Sequence, residues 1–371
     1  MKKNFFDDMD ITELKKFKDN IIKKKIHFLD EDLYNILSIN DEENLKKLFW
    51  VACEIRNYYF KNKIFLYGFV YFSTYCKNNC SFCYYCSQNK IKRYRIKDNE
   101  LVKICDNLKE KNIHLIDLTM GEDEYFYNNK EELIKYINIV NKITNKEIML
   151  SPGVLDLNIL KYLKNSNILF LALYQETYDL KLFHKLRPNQ SFFKRLLLRK
   201  YAKKIGFLVE DGILTGVLDK EEDEIPIIIK SIKRMKKQNI DQVRVMTFKP
   251  QIGTKLENKK MKDDLLELKT ISILRLLFPD ILIPASLDID GINGVEKRIL
   301  SGANVITSII QRNNNLEGVV NFDKNIKYDD RKRDVDTVIN TIIKMDMTPA
   351  TKEDFEDYIK RRKNNNEYKS F

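Results

Sequence analysis

The chain has 371 residues, of which 43% are hydrophobic and 32% charged, with a formal net charge of +12. A chain of this length can bury about three quarters of its unfolded surface, so no disulfide staple is needed to fold it. A mean hydropathy of −0.43, with no run approaching about 18 apolar residues, excludes a membrane-spanning helix. The charge alone would admit an anionic partner such as nucleic acid. Lysine is spread along the whole chain, however, and the runs Lys23–Lys25 and Arg331–Arg333 are short and lack interleaved aromatics, so neither a nucleic-acid nor a membrane partner is expected.

Acids stand at Asp7 and Asp8, where a signal peptide needs an apolar stretch, and a cytoplasmic location is expected. Residues 1–60 read as an amphipathic helical extension, as in Leu45-Lys46-Lys47-Leu48-Phe49-Trp50. From residue 61 to 350, eight apolar runs alternate with charged helical stretches. The runs are Ile64–Phe72, Leu115–Met120, Ile148–Leu150, Ile168–Gln175, Leu208–Val217, Gln242–Phe248, Ile281–Asp288 and Val305–Ile310. Helical patterns between or after them include Glu131–Ile143, Phe192–Ile205, Ile225–Gln238, Asp263–Leu277 and Asp334–Met345. Strands joined by helices run parallel with right-handed crossovers. Eight such units predict a closed (β/α)8 TIM barrel rather than an open sheet. Residues 351–371 read as a C-terminal helix and tail, solvated and frayed from residue 360.

The cysteines carry the chemistry. Four of the six, Cys76, Cys80, Cys83 and Cys86, fall between residues 76 and 86. In a reducing compartment this reads as metal binding. Cys76-x3-Cys80-x2-Cys83 directly follows the first predicted strand. Three thiolates can hold three corners of a 4Fe-4S cluster and leave the fourth iron open, whereas a structural cluster takes four. Two alternatives stand beside it: a four-cysteine zinc site that uses Cys86, and ferredoxin-like electron transfer. Zinc ligands usually come as two pairs with a longer span between them, and a ferredoxin has no use for so long a remainder. Cys53 and Cys105 lie in apolar helical patterns and read as buried thiols. His27, His114 and His184 have no acid or cysteine at ligand spacing, and His114 precedes strand 2 on the face away from the chemistry.

The cysteine triplet, with Phe82 before its last member and eight β/α units around it, resembles the radical S-adenosylmethionine (SAM) superfamily. Further segments resemble its methylornithine synthase family: Phe69–Cys76, Asp117–Asp123, Tyr174–Thr177, Glu210–Gly216, Val243–Met246 and Pro284–Gly291. The resemblance implies reductive cleavage of SAM to a 5′-deoxyadenosyl radical. It implies isomerisation of L-lysine to (3R)-3-methyl-D-ornithine, the first step of pyrrolysine biosynthesis, with electrons from a reductant such as flavodoxin or ferredoxin. An alternative is another radical SAM barrel enzyme of the biotin synthase or hydrogenase maturase type. Sulfur-inserting members need a second cluster, and residues 106–371 contain no cysteine.

The same resemblance assigns Cys76, Cys80 and Cys83 to the cluster. It assigns Phe82, Gly121, Glu122, Ser151, Tyr174, Glu176, Arg187 and Gln251 to SAM, with Gly121-Glu122 offering backbone carbonyls to the methionine amino group. It places Asp117, Arg244, Ser286, Thr307 and Ser308 on the amino acid, with Asp288 as a companion. The chemistry agrees, because two ammonium groups need anions, and a carboxylate suits a bidentate arginine. The competing reading of Asp117, Arg244 and Asp288 is an ion-pair network that satisfies itself inside the barrel.

Overall fold

A computed structural model of the chain describes residues 5–109, 112–288, 290–310 and 333–367. Three helices come first, α1 (Ile11–Ile22), α2 (Asp30–Leu37) and α3 (Glu42–Phe60). Asp10 and Asp41 cap α1 and α3 by accepting first-turn backbone N–H groups. Eight strands follow: β1 (Lys63–Ser73), β2 (Leu115–Met120), β3 (Glu147–Ser151), β4 (Ile168–Ala172), β5 (Leu208–Thr215), β6 (Gln242–Thr247), β7 (Pro284–Ser286) and β8 (Val305–Ile309). Between them lie α4 (Asp98–Lys109), α5 (Glu124–Asn128), α6 (Lys130–Thr144), α7 (Leu157–Leu163), α8 (Leu180–Leu186), α9 (Phe192–Lys204), α10 (Glu221–Gln238), α11 (Leu265–Leu277) and α12 (Gly291–Leu300). After β8 come α13 (Val335–Lys344), the short β9 (Thr348–Pro349) and α14 (Lys352–Glu367).

The strands are parallel, in the order β6-β5-β4-β3-β2-β1-β8-β7. A single bridge, Gln242 to Leu282, joins the two ends, so the barrel is nearly closed. Five expected strands are shorter than their apolar runs, β5, β6 and β8 by one or two residues and β4 and β7 by three or more. The β4 ladder stops at Ala172, because Gln175 N–H turns to the Asp211 carboxylate instead of a neighbouring strand. The β7 ladder holds only Pro284–Ser286. Among the described residues no helix is long and apolar enough to cross a membrane.

The helices α1–α3 pack outside the barrel, on α10, α11 and α12. Buried Arg56 of α3 donates to Ile299 O, and Lys269 of α11 donates to Ile39 O 3.1 Å away. The base of the barrel is plugged from the other end of the chain. Phe65, Tyr67, Leu115, Met149, Phe170, Leu208 and Val305 fill the interior and pack against Phe355, Tyr358 and Ile359 of α14. Tyr358 donates to Asp241 O, and Arg362 donates to the Asp241 carboxylate 2.9 Å away. The stretch from 360 to 367 is therefore helix rather than tail, with Arg362 buried; residues 368–371 lie outside the described residues, as do Arg331 and Lys332 of the basic run. His114 sits at this base: its Nδ1 accepts from Leu66 N–H and its Nε2 donates to Ala350 O. Burial holds its pKa below the usual histidine value.

The plug makes a prediction. Phe355→Ala opens a cavity among Phe65, Tyr67 and His114 and costs about 3–5 kcal/mol. Urea unfolding monitored by circular dichroism should show the loss.

Candidate active site

The loop after β1 carries the cysteine triplet and is closed on itself. Arg93 donates to Thr74 O (2.5 Å), Tyr85 O (3.1 Å), Cys86 O (2.6 Å) and Asn89 O (3.2 Å). Ser87 N–H reaches Asn78 O across the loop. Asn89 then ties the loop to the β6 end by donating to Ile252 O, and Ser81 O accepts from Leu256 N–H. Gly253 has room for no side chain: a Cβ there would lie 2.0 Å from Asn89 Oδ1. Gly121 plays the same part beside the first cysteine, where a Cβ would meet Tyr75 O at 2.3 Å and Cys76 Cβ at 2.8 Å.

The three sulfurs sit among hydrogen-bond donors. Cys76 Sγ accepts from Glu122 N–H at 3.4 Å. Cys80 Sγ accepts from Gln190 Nε2 at 3.0 Å and Arg187 Nη1 at 3.4 Å. Burial pushes the Cys83 thiol pKa up, and the charges of Cys80 and Cys76 push it further, so the three stand close enough to repel as thiolates. Cationic and amide donors aimed at repelling sulfurs are what an anionic iron–sulfur cluster needs. Among the described residues no three His, Cys, Asp or Glu side chains converge at the distances of a single metal ion.

Next to Cys80 two buried arginines meet two carboxylates. Arg187 Nη2 lies 2.6 Å from Glu176 Oε1, and the guanidinium stacks on Phe82 at 5.2 Å. Arg195 Nη2 lies 3.2 Å from Glu122 Oε1 and 2.9 Å from Gln190 Oε1. Burial acts to lower the Arg187 pKa, but the Cys80 and Glu176 charges outweigh it and hold it up. Burial and the neighbouring Arg187 charge bring Arg195 down to about 10. The Nε atoms of both arginines are buried without a hydrogen-bond partner. These orphaned donors fit a carboxylate-bearing cofactor at this position. Glu176 holds φ of 66°, a left-handed backbone that non-glycine residues adopt only under constraint. The carbonyls expected to bind the methionine amino group already have partners: Gly121 O accepts from Asp123 N–H and Glu122 O from Lys77 N–H.

Inside the barrel mouth is a cavity of about 170 Å³ whose lining includes Asp117, Ser151, Tyr174, Glu176, Arg244 and Asp288. Its floor is charged. Arg244 Nε donates to Glu210 Oε1 at 3.0 Å, and Arg244 Nη2 stands 3.5 Å from Asp117 Oδ2. Tyr174 donates to Glu210 Oε2 at 3.0 Å, and its ring lies 5.3 Å from the Arg244 guanidinium. Burial is the main cause that raises Asp117 to about 7; Arg244 opposes it and the Glu210 charge adds to it.

Asp288 is not part of that pairing. Its Oδ1 accepts from Arg333 Nη1 at 2.9 Å, and its Oδ2 accepts from Ser286 and Ser308 hydroxyls at 3.0 and 2.7 Å. The single network of Asp117, Arg244 and Asp288 is thus replaced by two, both lining the same cavity. Thr307 is fully buried with an unpartnered hydroxyl. Gln251 is half-buried outside the cavity lining, and its amide donates to Lys249 O.

Glu210, Arg195, Gln190, Arg93 and Arg333 belong to these clusters and were not singled out from the sequence as site residues. Two had a signal. Glu210 alternates with Leu208 and Gly212 on the inward face of a buried strand, and Arg195 stands one turn from Arg199 on the inward face of α9.

A family signature described as Radical SAM superfamily matches residues 70–248. The chain is 46% identical over 352 residues to 3-methylornithine synthase of Methanosarcina acetivorans, covering 95% of this chain and 99% of that one. It is 31% identical over 283 residues to the FeFe-hydrogenase maturase subunit HydE of Thermotoga maritima, covering 75% of this chain and 79% of the relative. A crystal structure of methylornithine synthase (PylB) superposes with a TM-score of 0.87 at 45% identity, covering 92% of this chain and 99% of that one.

Two outcomes test the geometry. Gly121→Ala forces Cys76 aside, so the variant should take up far less iron on anaerobic reconstitution, with an unchanged far-ultraviolet spectrum. Asp117 holds its proton to a higher pH folded than unfolded, so folding binds a proton between about pH 4 and 7 and its contribution falls as pH rises through that window. The stability difference between Asp117→Asn and the parent should therefore move in favour of the variant from pH 5 to pH 8, read by denaturant titration.

Proposed function

The chain belongs to the radical SAM superfamily, within the 3-methylornithine synthases, and on that premise we propose that it isomerises L-lysine to (3R)-3-methyl-D-ornithine, the step that opens pyrrolysine biosynthesis. The observation that carries the substrate reading is the cavity floor, where a buried arginine stands beside two carboxylates and a further carboxylate, Asp288, lines the same cavity. An amino acid with a second amino group at its far end matches that charge pattern.

Cys76, Cys80 and Cys83 would hold the 4Fe-4S cluster, and Arg187, Arg195, Glu176, Ser151 and Phe82 would surround SAM. Bound together, cluster and SAM supply the one-electron chemistry that begins the reaction. The chain's own contribution is placement. Arg244 presents a hydrogen-bond donor to the substrate carboxylate, and Asp117 presents an acceptor beside it. Asp288, oriented by Ser286, Ser308 and Arg333, meets an ammonium group in the same cavity. The closed base keeps water from entering behind the substrate. The reading includes a flavodoxin or ferredoxin as electron source and a cytoplasmic location, which keeps the thiols reduced.

Anaerobically reconstituted protein, given SAM, a reductant and lysine, should release deoxyadenosine and an isomer of unchanged mass. Absence of both in a cluster-loaded preparation overturns the substrate reading. Cys83→Ala should lose the cluster, whereas Cys86→Ala should retain it.

A further inference from the structure

We propose that Glu210 is a positioning residue for the amino-acid substrate, turning Arg244 and Tyr174 so that the outer guanidinium nitrogen of Arg244 is offered to a carboxylate in the cavity. The proposal rests on the lysine reading of the same cavity. The run Glu210-Asp211-Gly212 supplies both faces of one strand. Glu210 points inward, fully buried, and accepts from Arg244 Nε and from the Tyr174 hydroxyl on its two oxygens. Gly212 stands beside Arg244 in the register of β5 and β6. A Cβ there would lie 2.8 Å from Tyr174 Cδ1, so only glycine lets the tyrosine fold down to reach Glu210. Arg244 Nη2 is then left buried on a residue that lines the cavity, 3.5 Å from Asp117 Oδ2 but with no hydrogen bond made. A buried, unpartnered guanidinium N–H is costly unless a ligand completes it. With Nε fixed by Glu210, the guanidinium cannot rotate to satisfy itself, and it stays aimed until substrate arrives.

Glu210 also sets the charge of the floor. The groups that act on Asp117 are Arg244, Glu210 and Asp288, with the Thr119 hydroxyl and the phenols of Tyr67 and Tyr174 around it. Removing the Glu210 charge removes a repulsion on Asp117 and frees Arg244 to favour it, and both changes make Asp117 ionise at lower pH.

The test uses cluster-loaded protein with SAM, and it measures lysine binding by calorimetry from pH 5.5 to 8.5 as well as steady-state SAM cleavage. Glu210→Gln keeps the shape and removes the charge. Its lysine dissociation constant should rise about tenfold or more. KM should rise by a larger factor than kcat falls, SAM affinity should hold, and the acid limb of lysine binding should move to lower pH. Gly212→Ala, which displaces Tyr174 and keeps the Glu210 charge, should weaken lysine binding without moving that limb. Unchanged lysine affinity in both variants overturns the proposal, as does joint loss of SAM and lysine binding in Glu210→Gln, the mark of a merely structural role. If the parent protein itself fails to bind lysine, the substrate reading falls, and this proposal with it.

Discussion

A charge buried in a protein needs a counter-charge or a full set of hydrogen-bond acceptors, and in the upper half of the barrel it is counter-charges that meet this constraint. Arg187, Arg195, Arg199, Arg244 and Arg333 are all buried, and each meets a carboxylate: Glu176, Glu122, Asp211, Asp117 with Glu210, and Asp288. An isolated buried arginine would cost several kcal/mol, so removing one carboxylate does more harm than the pair does good. The pairs are therefore weak evidence of stability and strong evidence of arrangement. Arg187, Arg195, Arg199 and Arg244 each keep a nitrogen without a hydrogen-bond partner, and all of these but Arg199 belong to the clusters at the cysteine loop and the cavity floor.

The same economy holds the cysteine loop in place. The loop has no regular secondary structure from Thr74 to Tyr94, and its backbone groups need partners that a strand or helix would otherwise supply. One side chain, Arg93, satisfies four carbonyls spaced from Thr74 to Asn89. Asn89 and Ser81 extend the fastening to the loops after β6 and β4. Cys86 contributes its carbonyl to this scaffold. The sulfurs of Cys76 and Cys80, by contrast, accept hydrogen bonds from Glu122, Arg187 and Gln190.

The barrel was legible because its signal is periodic. Apolar runs mark all eight strands, and the run at Leu115–Met120 coincides with β2 to the residue. The misses have local causes. At β4 the run continues to Gln175, but the ladder stops at Ala172, since Asp211 competes for the Gln175 N–H. At the C-terminus, α14 has the composition of a solvated tail, and among its described side chains only Phe355, Tyr358, Ile359 and Arg362 are buried. Four residues at helical spacing are too faint a stripe to set against so many lysines, arginines and asparagines. The candidate site was legible where a residue type is rare, as with the cysteines, or where a charge stands just past a strand, as with Asp288; Asp117, expected at the end of its strand, lies within β2. Glu210 lies as deep in β5 as Asp117 does in β2, below the edge where barrel chemistry is sought, and unlike Asp117 it was not assigned by the family resemblance.

The segment from Leu173 to Thr177 shows why that hidden residue matters. Once the chain leaves the β4 ladder, Tyr174 descends to Glu210 and Arg244 on the cavity floor, while Glu176, two residues on, meets Arg187 beside Cys80. The floor and the cysteine loop are thus joined through two side chains of one short stretch. Its shape is held from behind the wall. Asp211 accepts from Gln175 N–H and Gly212 N–H on one oxygen and from Tyr178 on the other, and Arg199 binds Leu173 O and Gln175 Oε1. Glu176 keeps its left-handed backbone because both its neighbours on β5 claim it: its N–H goes to Gly212 O, and its carbonyl accepts from Leu214 N–H. A stretch so pinned has little freedom to adjust one end alone. The cavity floor and the surroundings of the cysteine loop are therefore held at a fixed spacing by one short, firmly anchored stretch of chain.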